Sequence, residues 1–344
     1  MVHALLGGSS YAARGSAGSR LKLFIAAIQL GLGMAVWPMC APAATDYPDR
    51  PLRFIVPSAT GGLPDINARL YAAELGKRLG QQVVVDNRPG ASSSIGFEMM
   101  AKANPDGYTI GYASFPIATN HIFMARLGYD TQRDFAPVVM GGFSPNVLAI
   151  STALPVHSVQ ELIAYAKANP GKLKYVSTGY GATNFLCVEL LKMLAGIDIL
   201  HVPYKGVQQG ITDIIGGQVH LICDQVGSAY PHVRSGRLRG LAVTGTKRAL
   251  AAPELPTVAE AGVPGFEIIA WGGVVVPART PKPVIARLNE GFNQVLTSAA
   301  VKERFAAMNY EAAGGTPEFF GEHLRKEMAK WAELAKRMGL KPPV

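Results

Sequence analysis

Along this chain, short apolar runs alternate with stretches whose apolar positions recur every three or four residues, which predicts strands followed by helices. Arg53–Pro57 is expected as a strand, and Ile66, Leu70 and Ala73 make a helical stripe that continues to about Leu79. Gln82–Asp86, with its run of valines, is expected as a buried strand. A helix from about Ser93 to Ala103 and a strand at Tyr108–Ser114 follow. A second series begins at Val147–Ile150, where Ser158 and Glu161 form a capping box for a helix through Lys167. Strand Lys174–Thr178 then leads through a Gly-Tyr-Gly turn into helix Thr183–Ala195, ended by Gly196. Strand Ile199–Pro203, helix Val207–Ile215 and strands Val219–Cys223 and Leu238–Thr244 continue the rhythm. The class is α/β, with mainly parallel sheets expected.

The final third differs. Glu267–Val276 is a long extended apolar run, followed mostly by helices at Pro283–Leu296 and from Thr316–Pro317 to about Met338. The last helix carries Phe320, Leu324, Met328, Trp331 and Leu334 near one face, a stripe expected to pack on a core.

The N-terminus changes the picture of where the chain works. Arg14, Arg20 and Lys22 precede an apolar run from Leu23 to Trp37, and Ala41-Pro42-Ala43 fits a small-x-small cleavage site. That layout is a secretory signal peptide over residues 1–43, since about fifteen apolar residues fall short of the ~20 that a spanning helix needs. Cleavage there leaves 301 of the 344 residues, enough for two lobes. It removes three basic and no acidic residues, lowering the formal net charge from +9 to +6. The remaining basic residues are scattered and not interleaved with aromatics, so nucleic acid is not the expected partner and a mild attraction for anions is. Cys40 leaves with the peptide. Cys187 and Cys223 remain, both in apolar segments, and two buried thiols are expected over a disulfide.

The chemistry-bearing motifs narrow the function. No G-x-S-x-G, H-E-x-x-H, C-x-x-C or calcium-loop spacing occurs, so neither a catalytic nucleophile nor a metal or cofactor site is expected. His201, His220 and His232 are read as ordinary polar residues. What recurs is small-residue loops at strand ends leading into helices: Ser58–Asp65, Ser114–Asn120, Ser177–Asn184 and Pro203–Gly206. In open α/β sheets ligands bind outside the carboxyl ends of strands, where the first helical turn presents unpaired N–H groups suited to a carboxylate. Four such loops in one chain favour a shared anion site.

The sequence V-P-x-x-x-G-G-x-x-D at Val56–Asp65, V-V-D-N-R-P-G-A at Val84–Ala91 and N-P-D-G-Y-T at Asn104–Thr109 resembles the Bug (TctC-like) family, the solute receptors of tripartite tricarboxylate transporters. The resemblance continues through H-V-P-Y-K-G at His201–Gly206, R-S-G-R-L-R-G-L-A-V-T at Arg234–Thr244 and P-T-V-A-E-A-G-V-P-G at Pro256–Gly265. It ends at G-G-T-P-E-F, Gly314–Phe319, and spans essentially the whole chain after residue 43.

This resemblance implies a two-lobed periplasmic-binding-protein fold (type II, Venus flytrap) with two interlobe crossings. One lobe would combine residues 44–146 with 267–344, and the other would be 147–266. The function implied is non-enzymatic capture of a small carboxylate: a di- or tricarboxylate, an acidic amino acid or an aromatic acid. Delivery would be to membrane transporter subunits, from a monomer in the periplasm. The alternatives are a sensing subunit of a membrane signalling system and a secreted enzyme on the same fold. Carried onto this chain, Ser58, Thr60, Gly61 and Gly62 would meet one carboxylate, with Asp65 fixing the loop. Ser114, Thr119 and Asn120 would line the same lobe. Thr178, Gly179, Tyr180, Gly181 and Thr183 would face them, near Tyr204, Lys205 and Gly206. Asp224 would either accept from a donor on the ligand or cap the next turn. Departures from the family at Ser58–Thr60, Tyr180 and Cys223, with Phe115 nearby, suggest a more apolar cleft and an aromatic or semi-apolar acid.

Overall fold

The computed structural model describes residues 47–340; the segment read as a signal peptide, with its cleavage site and Cys40, lies outside the described residues. Strand β1 (Leu52–Val56) is apolar except for Arg53, and its Phe54, Ile55 and Val56 are fully buried, as befits a strand covered on both faces. It feeds helix α1 (Leu63–Leu79), which has Pro64 in its first turn and ends at Gly80 in the left-handed conformation. Strand β2 (Val83–Asn87), helix α2 (Ser94–Ala101), strand β3 (Thr109–Ser114), helix α3 (Pro116–Phe123) and the short helix α4 (Thr131–Asp134) follow.

Next comes β4 (Phe135–Ser151), a strand of 17 residues. Beyond it lie α5 (Val159–Ala168), β5 (Lys174–Ser177), α6 (Thr183–Ala195), β6 (Leu200–Pro203), α7 (Val207–Ile215), β7 (Leu221–Gln225), α8 (Val226–Arg234) and β8 (Leu238–Val243). The chain closes with β9 (Ile269–Pro277), α9 (Lys282–Leu296), α10 (Ala299–Met308), β10 (Glu311–Gly314) and α11 (Pro317–Arg337).

Among the described residues the strands form one sheet in the order β2-β1-β3-β9-β4-β7-β5-β6, with β10 and β8 also paired to β4. The first part of β4 pairs β9 and β10, and its second part pairs β7 and β8. The partners change around Ser144–Asn146, so one strand joins two half-sheets. The chain returns to the first half at Ile269, which lies opposite Pro145. One buried cluster runs through both halves, and a second lies beside the first half-sheet alone. Phe54, Tyr71, Tyr112, Phe292 and Phe305 interlock beside the first half-sheet, and Tyr175, Phe185, Leu186 and Leu221 fill part of the second.

Four expectations need correction. The sheet is mixed: pairing is parallel at the flanks (β1 with β2 and β3, β5 with β6 and β7) and antiparallel wherever β4 takes part, and where β3 meets β9. The valine run Gln82–Asp86 is an edge strand with no fully buried residue, because β1 is its sole neighbour in the strand order. The second series does not begin at Val147, which sits inside β4. Pro137, Pro145 and the Gly141-Gly142 pair interrupt the alternation that would have marked that strand, and its register shifts at Pro137–Val139 and Met140–Gly142. Finally, Cys187 and Cys223 are joined as a disulfide, their Cα atoms 6.2 Å apart. Both are buried because α6 lies on β7, and that packing brings the two sulfur atoms together. Apolar surroundings and pairing were not alternatives.

Candidate ligand-binding cleft

Where the half-sheets meet, a cavity of about 340 Å³ opens between the loops that leave β1, β3, β5, β6 and β7. Six helices begin at its wall. Their N-caps are Gly62 (α1), Ser93 (α2), Phe115 (α3), Ala182 (α6), Gly206 (α7) and Gln225 (α8), and every one lines the cavity. None of these six has a side chain bonded to its first-turn N–H groups. Away from the cavity, Asp130, Ser158 and Thr316 cap α4, α5 and α11 with their side chains, while Pro281 and Ser298 leave α9 and α10 without a side-chain cap. The cavity is therefore ringed by backbone donors and by the positive ends of helix dipoles.

The first loop is held from behind. Gly61, at φ +84°, donates its N–H to Asp65 (2.9 Å), and Asp65 also pairs with Arg69 (2.9 Å). Burial alone would raise the Asp65 carboxyl, but the Gly61 N–H, Arg69 and Asn87 outweigh it and hold the group below its usual range. Asp65 thus shapes the loop, leaving Ser58, Thr60 and Gly62 on the cavity wall.

Of the residues named from sequence, Ser58, Thr60, Gly62, Ser114, Thr178, Thr183, Lys205, Gly206 and Asp224 line the cavity. The others stand behind it or bridge its two sides. Thr119 donates its hydroxyl to the Gly181 carbonyl (2.7 Å), and Asn120 donates to the Ser92 carbonyl (2.9 Å) and to Tyr129 (3.1 Å). Gly179 lies so close to Ser92 that a Cβ at position 179 would meet the serine hydroxyl at 2.3 Å. Tyr180 packs on Phe185 and His201, with ring centroids 5.1 and 5.0 Å away, and Tyr204 bonds Asp213 (2.7 Å). The aromatic side of the cavity is formed instead by Phe115 and Trp271, 5.8 Å apart. Trp271 and Trp331 both donate their indole N–H to Glu327, at 3.0 and 3.1 Å. The last helix, α11, thereby backs this wall.

Trp271, Asn184, Gln208 and Gln225 were not singled out from sequence, although all line the cavity. Asn184 stands in the third loop and was legible there as a polar residue at a helix start. Trp271 carried no local signal, because its place depends on residues more than fifty positions away in α11.

The cavity's electrostatics are simple. Lys205 and Asp224 are the ionisable residues that line it. Burial pushes the Asp224 carboxyl up to about 6, against the opposing hydrogen bonds from Ser228, Asn184 and the Gln225 N–H. Outside the lining, Ser177 and His201 lie 2.6 Å apart, the spacing of a nucleophile and its base. Ser177 is fully buried and also accepts from the Gly179 N–H (3.0 Å), so this pair braces the third loop. Burial pushes the His201 imidazole down to about 4. Among the described residues, no group of three or more His, Cys, Asp or Glu is placed to hold a metal ion. No helix among them is long and apolar enough to cross a membrane.

Comparison with known proteins places this architecture. The Rhodopseudomonas palustris protein Rpa4515, solved with adipate, is 38% identical and superposes with a TM-score of 0.84, over 86% of this chain and 100% of that one. The periplasmic binding protein BugD is 33% identical with a TM-score of 0.83, over 86% and 100% of the two chains. MatC from Rhodopseudomonas palustris, solved with bound malate, is 28% identical with a TM-score of 0.79, over 83% and 99%. The fold is that of the two-lobed periplasmic binding proteins. Residues 67–340 match the family model described as the tripartite tricarboxylate transporter family receptor, TctC, and the chain belongs to that family.

Proposed function

We propose that this protein is a periplasmic receptor that closes on a small carboxylate with an apolar body and delivers it to a tripartite tricarboxylate-type membrane transporter. The observation that carries the reading is the ring of six helix N-termini around one cavity, all without side-chain caps. Such termini suit an anion, and the hydroxyls of Ser58, Thr60, Ser114, Thr178 and Thr183 add neutral donors. Phe115 and Trp271, with Pro57, Pro89 and Pro116, supply apolar surface for the body of the acid. Adipate in Rpa4515 and malate in MatC support a carboxylate as the ligand class.

The lobes are residues 44–146 with 267–344, and 147–266. Support comes from the change of partners within β4 and from β9, which pairs only in the first half-sheet. Closure turns about these two connections, and the ligand binds the closed form better. The N-terminal signal pattern and the disulfide are consistent with export to the periplasm.

Thermal unfolding of the protein, refolded to remove any ligand carried from the host, tests this against a panel of acids. The panel spans citrate, malate, adipate, acidic amino acids, nicotinate, benzoates and phthalates. A ligand at ~100 times its dissociation constant adds about 2.7 kcal/mol, a shift of a couple of degrees or more. A shift confined to one class of acid names the substrate group. No shift with any acid overturns the receptor reading, and citrate binding more tightly than adipate or any benzoate overturns the apolar body.

A further inference from the structure

We propose that the Cys187–Cys223 disulfide is a positioning element of the cleft, which holds Asn184 between Thr178 and Asp224 and thereby sets how tightly the receptor grips its ligand. The proposal rests on the carboxylate-receptor reading above. Each cysteine stands next to a cleft residue on the element it anchors. Cys223 directly precedes Asp224 in β7, and Cys187 lies one helical turn after Asn184 in α6.

Asn184 spends both ends of its carboxamide inside the cavity wall. Its Nδ2 donates to Asp224 Oδ1 (3.2 Å), while its Oδ1 accepts from the Thr178 N–H (3.1 Å) and from the Thr178 hydroxyl (3.4 Å). Asp224 Oδ2 accepts in turn from the Ser228 hydroxyl. Thr178, Asn184 and Asp224 all line the cavity, so one side chain of α6 ties two cavity-lining segments together.

Without the crosslink, what remains between α6 and β7 besides the Asn184–Asp224 bond is apolar packing within the buried cluster that contains Val188 and Leu221. That attraction is non-directional, and it tolerates small slides of a helix along a sheet. The Asn184 bonds do not, because hydrogen bonds weaken steeply once distance and angle drift. The disulfide fixes α6 to β7 one residue from Asp224 and one helical turn from Asn184, whose carboxamide reaches on to Thr178. It is also out of reach of solvent, with Cys187 and Cys223 exposed by 1% and 0%. It therefore acts as a permanent brace of the folded receptor.

The experiment compares wild type, C187A/C223A, N184A and the triple variant. Affinity for adipate and for benzoate is measured by calorimetry well below the unfolding midpoint, alongside hydrogen exchange at the Thr178 N–H. A C187S/C223S chain serves the same comparison if the alanine pair does not fold. Removing the disulfide is expected to weaken binding about tenfold and to speed exchange at Thr178, but to weaken binding less than about twofold in the N184A background. A fall in the unfolding midpoint with unchanged affinity and unchanged exchange overturns the proposal, as does additivity with N184A. If neither acid binds wild type, the receptor reading is what fails for these probes, and the exchange rate at Thr178 still decides whether the disulfide holds Asn184 in place.

Discussion

Thr119 and Gly181, 62 residues apart in sequence, are joined by a hydrogen bond of 2.7 Å from hydroxyl to carbonyl. The threonine comes from α3, beside the first half-sheet, and the glycine from the loop between β5 and α6 of the second. Thr119 is fully buried, and a Cβ at position 181 would meet its hydroxyl at 2.8 Å. The bond thus ties one side of the cleft to the other.

Thr119→Val keeps the shape and removes the donor. It leaves the Gly181 carbonyl unpaired in the closed form, at a cost of about 1–3 kcal/mol. Ligand affinity should fall by roughly 5- to 150-fold, with a much smaller change in the unfolding of the ligand-free protein. Calorimetric titration with whichever acid the panel identifies checks this, and an unchanged dissociation constant would sink it.

Asp224 makes a prediction about pH. Its folded-state pKa is raised, by burial, to about 6 from an ordinary value of 3.8. Its contribution to stability is therefore fully present below pH 3.8 and is lost as pH rises through 6. The loss amounts to roughly 3 kcal/mol. His201 acts in the opposite sense: with its pKa lowered to about 4, its contribution is present above 6.5 and is lost as pH falls through 4. The two partly cancel in wild type, so the measurement is a comparison. The stability of Asp224→Asn relative to wild type should rise between pH 4 and 6 and level off above that. Chemical denaturation at several pH values would reveal it, and a constant difference across that range would refute it.

Glu327→Ala removes the shared acceptor of Trp271 and Trp331. Leaving two buried indole N–H groups without a partner should cost roughly 2–5 kcal/mol of stability. Trp271 also lines the cavity, so affinity should fall with it. Tryptophan fluorescence should move to longer wavelength as the wall loosens. Stability within 1 kcal/mol of wild type, on the same scale, would show that the indoles find other partners.

Much of the fold was legible along the chain. Helices Thr183–Ala195 and Val207–Ile215 fall where the pattern put them, because glycines bound them: Gly196 and Gly216 after them, and Gly206 before the second. The strand-to-helix loops were legible for the same reason. What escaped were elements whose local signal conflicts with their place. The first part of β4 carries prolines and a glycine pair, and it remains a strand because β9 and β10 flank it. Helix α8, with Pro231 inside it, also went unrecognised.

By itself, the sequence determined the α/β order, the small-residue loops at strand ends and the family resemblance, all of which depend on neighbours a few residues apart. Tertiary structure decided which loop residues face the cavity. Tyr180 and Tyr204 turn to Phe185 and Asp213, whereas Trp271 reaches the wall because Glu327, 56 residues away, holds its indole. It also decided that Cys187 and Cys223 pair, since only the packing of α6 on β7 brings their sulfur atoms within bonding distance. Local spacing specifies where a chain turns and which faces are apolar; the direction of a side chain at a site depends on partners that only the folded chain brings near.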